Sequence, residues 1–163
     1  MATYEFFKKQ FEFRGKHAKM VQEMWVKNDT NKSYFKRLID LYTFAPIIGF
    51  KMGRKAKEDS SPFEPKSILA EQMIHQKEDL DFILQMILML EYEDSLSEEE
   101  CIKIAFRGAE SEEEFKKYND LFKQYVLGGV EVLYEKLVIP KLDVDSEYKE
   151  EKVENVMNLL KNL

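Results

Sequence analysis

Two adjacent glycines inside an otherwise helical pattern, Gly128 and Gly129, limit this chain more sharply than any other feature. Before them Phe115, Tyr118, Leu121, Phe122, Tyr125 and Val126 recur at helical spacing; after them Val130, Leu133, Tyr134 and Leu137 resume it. Each glycine costs a helix interior about 1 kcal/mol against alanine. A pair kept there needs a packing reason, such as a second backbone passing close by. A matching stripe lies further upstream. Ala45, Gly49 and Gly53 are four residues apart, which on a helix makes a groove that another helix of the same chain can enter. The helix carrying Gly128 and Gly129 is the candidate to enter it.

The rest of the pattern is helical too. Gly and Pro together number only ten in 163 residues, and 44% of the chain is apolar. That is enough to bury a core without disulfides. The expected fold is all-α, one compact domain over 1–163 with five to six helices and a short N-terminal strand or arm over 1–15, where Phe6, Phe7, Phe11 and Phe13 crowd together. Met20, Val21, Met24 and Trp25 predict a helix over 16–27, followed by a turn at 28–31. Ser33 reads as the N-cap of the next helix, with Tyr34, Phe35, Leu38, Ile39, Leu41 and Tyr42 on its apolar side. Pro46 lacks an amide hydrogen, so this helix should kink there or end and restart.

Residues 57–66, with two prolines and two serines, form a loop. A single long helix is expected over 67–92. Phe82, Met86 and Met89 widen its apolar face nearly all round, which predicts a helix central to the core. Ser97-Glu98-Glu99-Glu100 is a capping box opening a helix that ends near Gly108, and Ser111-Glu112-Glu113-Glu114 repeats the signal for the next, which Pro140 stops. Residues 141–163 are acidic, then helical, with Ser146 as the cap and Val153, Val156, Met157, Leu159 and Leu160 as a narrow apolar stripe.

Chemistry is sparse. The one cysteine, Cys101, excludes an internal disulfide and reads as a small apolar residue on a helix. His17 and His75 lie in different elements and outside any metal-ligating array, and His75 is expected beside a buried helix face, hydrogen-bonded there. Asp143 and Asp145 lack the glycine and terminal glutamate of a calcium loop. No phosphate-cradling glycine loop and no nucleophile elbow occurs. No cofactor, metal site or catalytic residue is expected. No leader or membrane-length apolar run is visible, so a cytoplasmic setting is expected.

Charge is the more informative feature. Residues 1–57 carry a net +8 and residues 58–163 a net −14. Either the two ends meet partners of opposite charge, or the halves fold against each other and cancel. Lys51, Arg54, Lys55 and Lys57 are the most compact cations and the candidate contact with nucleic acid or a partner protein.

Two stretches carry a resemblance. Residues 38–55 contain Asp40, Phe44, Ala45, Gly49, Phe50, Gly53 and Arg54; residues 122–133 contain Tyr125, Gly128 and Gly129. Together they resemble small helical proteins encoded beside DNA phosphorothioation (Dnd-type) defence genes. The likeness covers about thirty residues and departs at Pro46, at Lys55, where a second arginine stands in that pattern, and at Val126 and Leu127. The resemblance implies a non-enzymatic accessory subunit of a bacterial anti-phage or DNA-modification-linked complex. Its partners would be a larger nuclease or ATPase, and DNA where the basic group meets it. The competing readings are an independent DNA-binding regulator and a metal-dependent nuclease built on Asp and Glu.

Overall fold

The computed structural model describes residues 4–26, 29, 33–139 and 148–163. The elements run β1 (Phe11–Phe13), α1 (Gly15–Met24), α2 (Leu38–Lys51), β2 (Lys66–Ile68), α3 (Ala70–His75), α4 (Lys77–Glu91), α5 (Glu98–Arg107), α6 (Glu112–Leu137) and α7 (Tyr148–Lys161). The class is mostly α. β1 and β2 make one antiparallel ribbon, with Phe11 opposite Ile68 and Phe13 opposite Lys66.

α6 is the axis. Its 26 residues span about 39 Å at 1.5 Å each. The Ser111 hydroxyl accepts the Glu114 amide at 3.1 Å, and Glu112, Glu113 and Glu114 place negative charge where the helix dipole favours it. α1, α2 and α7 all pack on α6, and the α2 contact is the most extensive between any two elements. Aromatic rings close the end nearest the arm: Phe7 meets Phe122 at 4.8 Å, Tyr42 meets Phe122 at 5.9 Å, and Phe11 meets Tyr42 at 4.8 Å.

Four local expectations are corrected. Ser33 does not cap a helix. Its hydroxyl accepts the Val26 amide at 2.8 Å and lies 2.8 Å from the Asp29 carbonyl, which ties residue 33 back to the end of α1. Tyr34 reaches α6 instead, its hydroxyl donating to the Leu137 carbonyl at 2.7 Å. α2 starts only at Leu38, where Asp40 accepts both the Arg37 amide and its guanidinium. Second, of the two outcomes expected at Pro46, an end and restart is ruled out, because α2 runs through it. Losing one ladder bond costs about 3 kcal/mol, and the contact of the same turn with α6 offsets it.

Third, the helix expected over 67–92 is broken. Phe13 and Ile68 are fully buried, and this holds 66–68 extended in the ribbon; α3 and α4 follow, separated at Gln76 (φ −96°, ψ 3°). Tertiary burial here overrides helix propensity. Fourth, α4 is not covered all round. Leu80, Ile83, Leu84, Ile87 and Leu88 face the core, but Phe82 and Leu90 are exposed. The stripe on α7 also divides, with Leu159 buried and Val153, Met157 and Leu160 exposed. Ser146, Pro140 and most of the turn expected at 28–31 lie outside the described residues.

Candidate functional site

The seam between α2 and α6 is built by backbone contact. A Cβ added at Gly129 would run into the Ala45 carbonyl and lie 3.0 Å from the Ala45 Cα. One added at Gly49 would overlap the Tyr125 carbonyl and sit 2.9 Å from the Gly129 nitrogen. One at Gly128 would strike the Arg54 carbonyl, with the Lys55 Cα at 3.0 Å. Ala45, Gly49, Gly128 and Gly129 thus belong to one contact.

Gly53 does not join it, because a Cβ there meets nothing within 4 Å. Its φ of +63° ends α2 instead. The Gly53 amide donates to the Phe50 carbonyl at 3.1 Å and the Arg54 amide to the Gly49 carbonyl at 2.8 Å, the paired bonds of a left-handed helix stop. The chain then turns back along α6, where the Ala56 amide donates to the Gln124 carbonyl at 3.0 Å.

That turn decides where the basic residues go. Arg54 forks onto Glu135, at 2.9 and 3.1 Å, and lies 3.7 Å from Glu131. Lys55 reaches Glu91 at 2.6 Å and sits 5.2 Å over the Tyr125 ring. Lys51 and Lys57 are exposed and join neither pair. The four cations read as one compact group are therefore divided, two of them held by carboxylates of the acidic half.

Glu131 gathers a larger cluster. It accepts Lys16 Nζ and His17 Nε2, each at 3.0 Å. His17 is fully buried on the inner face of α1, and its Nδ1 has no hydrogen-bond partner among the described residues. Burial pushes the imidazole pKa below its ordinary value, although Glu131 pulls the other way. Neutral His17 therefore donates from Nε2 and leaves Nδ1 as a bare acceptor. Burial also pushes the Glu131 carboxyl up, but hydrogen bonds from Lys16 and His17 outweigh it and hold the group below the usual carboxylate range. Beside this cluster Asp59 takes the Ser61 hydroxyl and, at 2.7 Å, the Lys16 amide, and both hold its carboxyl low. Gly15 is needed there: it has φ +57°, and a side chain would strike Asp59. Glu58 completes the set, accepting Lys123 at 2.8 Å.

On the far side of the seam the Tyr125 hydroxyl donates to Glu91, which also holds Lys55. Burial, then this bond, pushes the Tyr125 pKa up, so the hydroxyl stays protonated.

Sequence reasoning missed His17, Glu131, Glu135, Glu91 and Asp59 as partners. Two signals were present. His17 extends the inward spacing of Val21 and Met24 by one turn, and Glu131 interrupts the apolar run Val130, Val132, Leu133. His75, expected beside a buried face, is exposed, and the buried hydrogen-bonded histidine is His17. Cys101 is a buried free thiol on α5. Among the described residues no three His, Cys, Asp or Glu side chains group as a metal site. No helix among them is long and apolar enough to cross a membrane.

Residues 13–154 match the family model described as DNA sulphur modification system-associated protein 4. Neither a curated protein nor a solved structure matches the chain.

Proposed function

We propose a function from one premise: the chain belongs to the DNA sulphur modification system-associated protein 4 family, whose members accompany DNA sulphur modification systems. In this reading it is a non-enzymatic accessory subunit of such a system, acting by protein–protein contact on a larger nuclease or ATPase in the cytoplasm. The observation that carries the reading is the state of the basic group. Arg54 and Lys55 are already held by Glu135, Glu131 and Glu91. A phosphate would have to displace carboxylates that also anchor the seam, and a forked arginine–carboxylate pair is among the stronger polar contacts.

The second reading, an independent DNA-binding regulator, draws on exposed Lys51 and Lys57. Salt dependence separates the two, because each phosphate contact adds about one unit to the slope of log affinity against log salt. The test has two arms. The chain is co-expressed with the other proteins of its sulphur modification system and followed by size-exclusion chromatography. Separately, duplex DNA is titrated with wild type and with a Lys51→Glu/Lys57→Glu variant. Co-elution with a system protein, and weak DNA affinity equal in both proteins, is expected. Tight DNA binding by the isolated chain, lost with its salt slope in the variant, would replace the accessory role by the regulator.

A further inference from the structure

The outer side of α4 is the largest departure from what the sequence pattern implies. A helix that is apolar on every side is ordinarily buried on every side. α4 buries only its inner side, leaving Phe82 66% exposed and Leu90 40% exposed, with Met86 and Met89 half-buried. α5 packs alongside and adds Ile102, 41% exposed, and Phe106, 68% exposed, one turn apart. Phe106 also borders a 170 Å³ cavity with Lys77, Asp81 and Gln85 of α4 and with Tyr4, Glu5 and Phe6 of the arm. Large apolar side chains left exposed on two helices that pack together suit an interaction site.

Charge says what kind of partner fits. Residues 70–107 carry ten Asp or Glu against three Lys or Arg. Glu78, Glu93, Asp94, Glu98 and Glu99 are exposed and make no ion pair among the described residues. The contrast with the seam is sharp, since there nearly every carboxylate holds a cation of this chain. A second copy docked face to face would bring the same carboxylates against these and be repelled. A nucleic acid would be repelled for the same reason. We propose that the outer face of α4 and α5 docks a basic amphipathic helix of a partner protein, with Phe82, Ile102 and Phe106 as its apolar contacts and Glu78, Glu98 and Glu99 among its carboxylates. The partner's apolar stripe covers the phenylalanines and its flanking Lys or Arg meet the acidic rim, the mode in which a helix lies in a groove. This deepens the accessory-subunit reading and rests on it.

The probe is a fluorescent Leu/Lys amphipathic helix about five turns long, titrated into the full chain beside a Leu/Glu helix of equal apolarity. The Leu/Lys helix is expected to bind and the Leu/Glu helix is not. In Phe82→Glu/Phe106→Glu binding falls by about tenfold or more, although two negative charges have been added. Glu98→Lys/Glu99→Lys weakens binding several-fold and flattens its salt dependence. Both substituted pairs are exposed, and circular dichroism verifies that the variants fold. Unchanged or tighter binding in the phenylalanine variant would reduce the attraction to bulk charge and overturn the proposal. So would a wild-type dimer, seen by sedimentation, that the same variant dissolves, because the occupant would then be a second copy. The failures separate. A phenylalanine variant that still co-elutes with the system proteins sinks the docking face and leaves the accessory role standing. A wild-type chain that co-elutes with none sinks the accessory role itself.

Discussion

α6 and α4 both carry apolar residues on nearly every side, yet only α6 is covered all round, and that over its middle turns. Residues 125–130 of α6 are buried without a break, whereas on α4 Phe82 stands open. The difference is not hydrophobicity. α6 has Gly129, which lets the α2 backbone touch its own, and Gly128, which admits the chain just past α2 at Arg54 and Lys55, while α1 and α7 also pack on it. α4 has no small residue on its outer side, and among the described elements its most extensive contact is with α5. An apolar face becomes core only where something of the right shape can reach it. A face left bare is either a cost or an interface, and the carboxylates around this one favour an interface.

Breaking the seam should have the largest effect on stability. Gly129→Leu puts four carbons where the Ala45 carbonyl already stands. Overpacking of this sort costs about 1–3 kcal/mol, and more where backbone must move, so a large fall in the urea midpoint is expected. Wild-type melting in this variant would mean the two backbones are not in contact.

The pH response sharpens the same comparison at intermediate size. Burial lowers the folded pKa of His17. A depressed histidine pKa means the unfolded chain takes up the proton first. Its stabilisation is complete above the ordinary value of about 6.5 and is lost as pH falls through the folded pKa. Urea melts of wild type should therefore weaken below about pH 6.5, and His17→Gln should flatten that part of the profile. A pH profile that the substitution leaves unchanged would place the proton uptake elsewhere. Glu131, whose folded pKa is also lowered, acts in a separate window, losing its contribution only as pH falls through that lower value.

The smallest effect is expected on the bare face. Phe82→Glu, 66% exposed in the wild type, should leave stability within about 0.5 kcal/mol. A loss of several kcal/mol would show that Phe82 is packed in the free chain, and the contrast between α4 and α6 would disappear.

Some of this was legible residue by residue. Ser97 and Ser111 both cap helices where their spacing says, Ser97 in a full box with Glu100 and Ser111 by its hydroxyl alone, since Glu114 takes the Glu110 amide instead, and Gly108, with φ +74°, closes α5. These signals are local, since each is a hydrogen bond or a backbone dihedral within one turn. The failures share a cause as well. Ser33 looks like a cap until its hydroxyl is drawn back to Val26, and Ser67 looks helical until Ile68 is buried in a ribbon with Phe11. The ribbon partner of residues 66–68 lies far back along the chain, and Ser33's partners, though close in sequence, meet it only because the chain folds back after α1. Gly53 fits the spacing of Ala45 and Gly49, but it lies past the last turn of α2, where its freedom of φ matters and its small size does not.

The sequence by itself determined the helical class, the capped ends of α5 and α6, and the need for a close backbone approach at Gly128 and Gly129, because periodicity, caps and glycine cost are properties of single helices. It also carried the charge split between the two ends. Tertiary structure alone decided how that split resolves. Arg54 and Lys55 meet Glu135, Glu131 and Glu91 only because the helix stop at Gly53 turns the chain back along α6. Which carboxylates are neutralised and which stay free on α4 and α5 depends on distances of a few ångströms between residues far apart in sequence. Coulomb attraction falls with spatial distance, and spacing along the chain does not fix that distance.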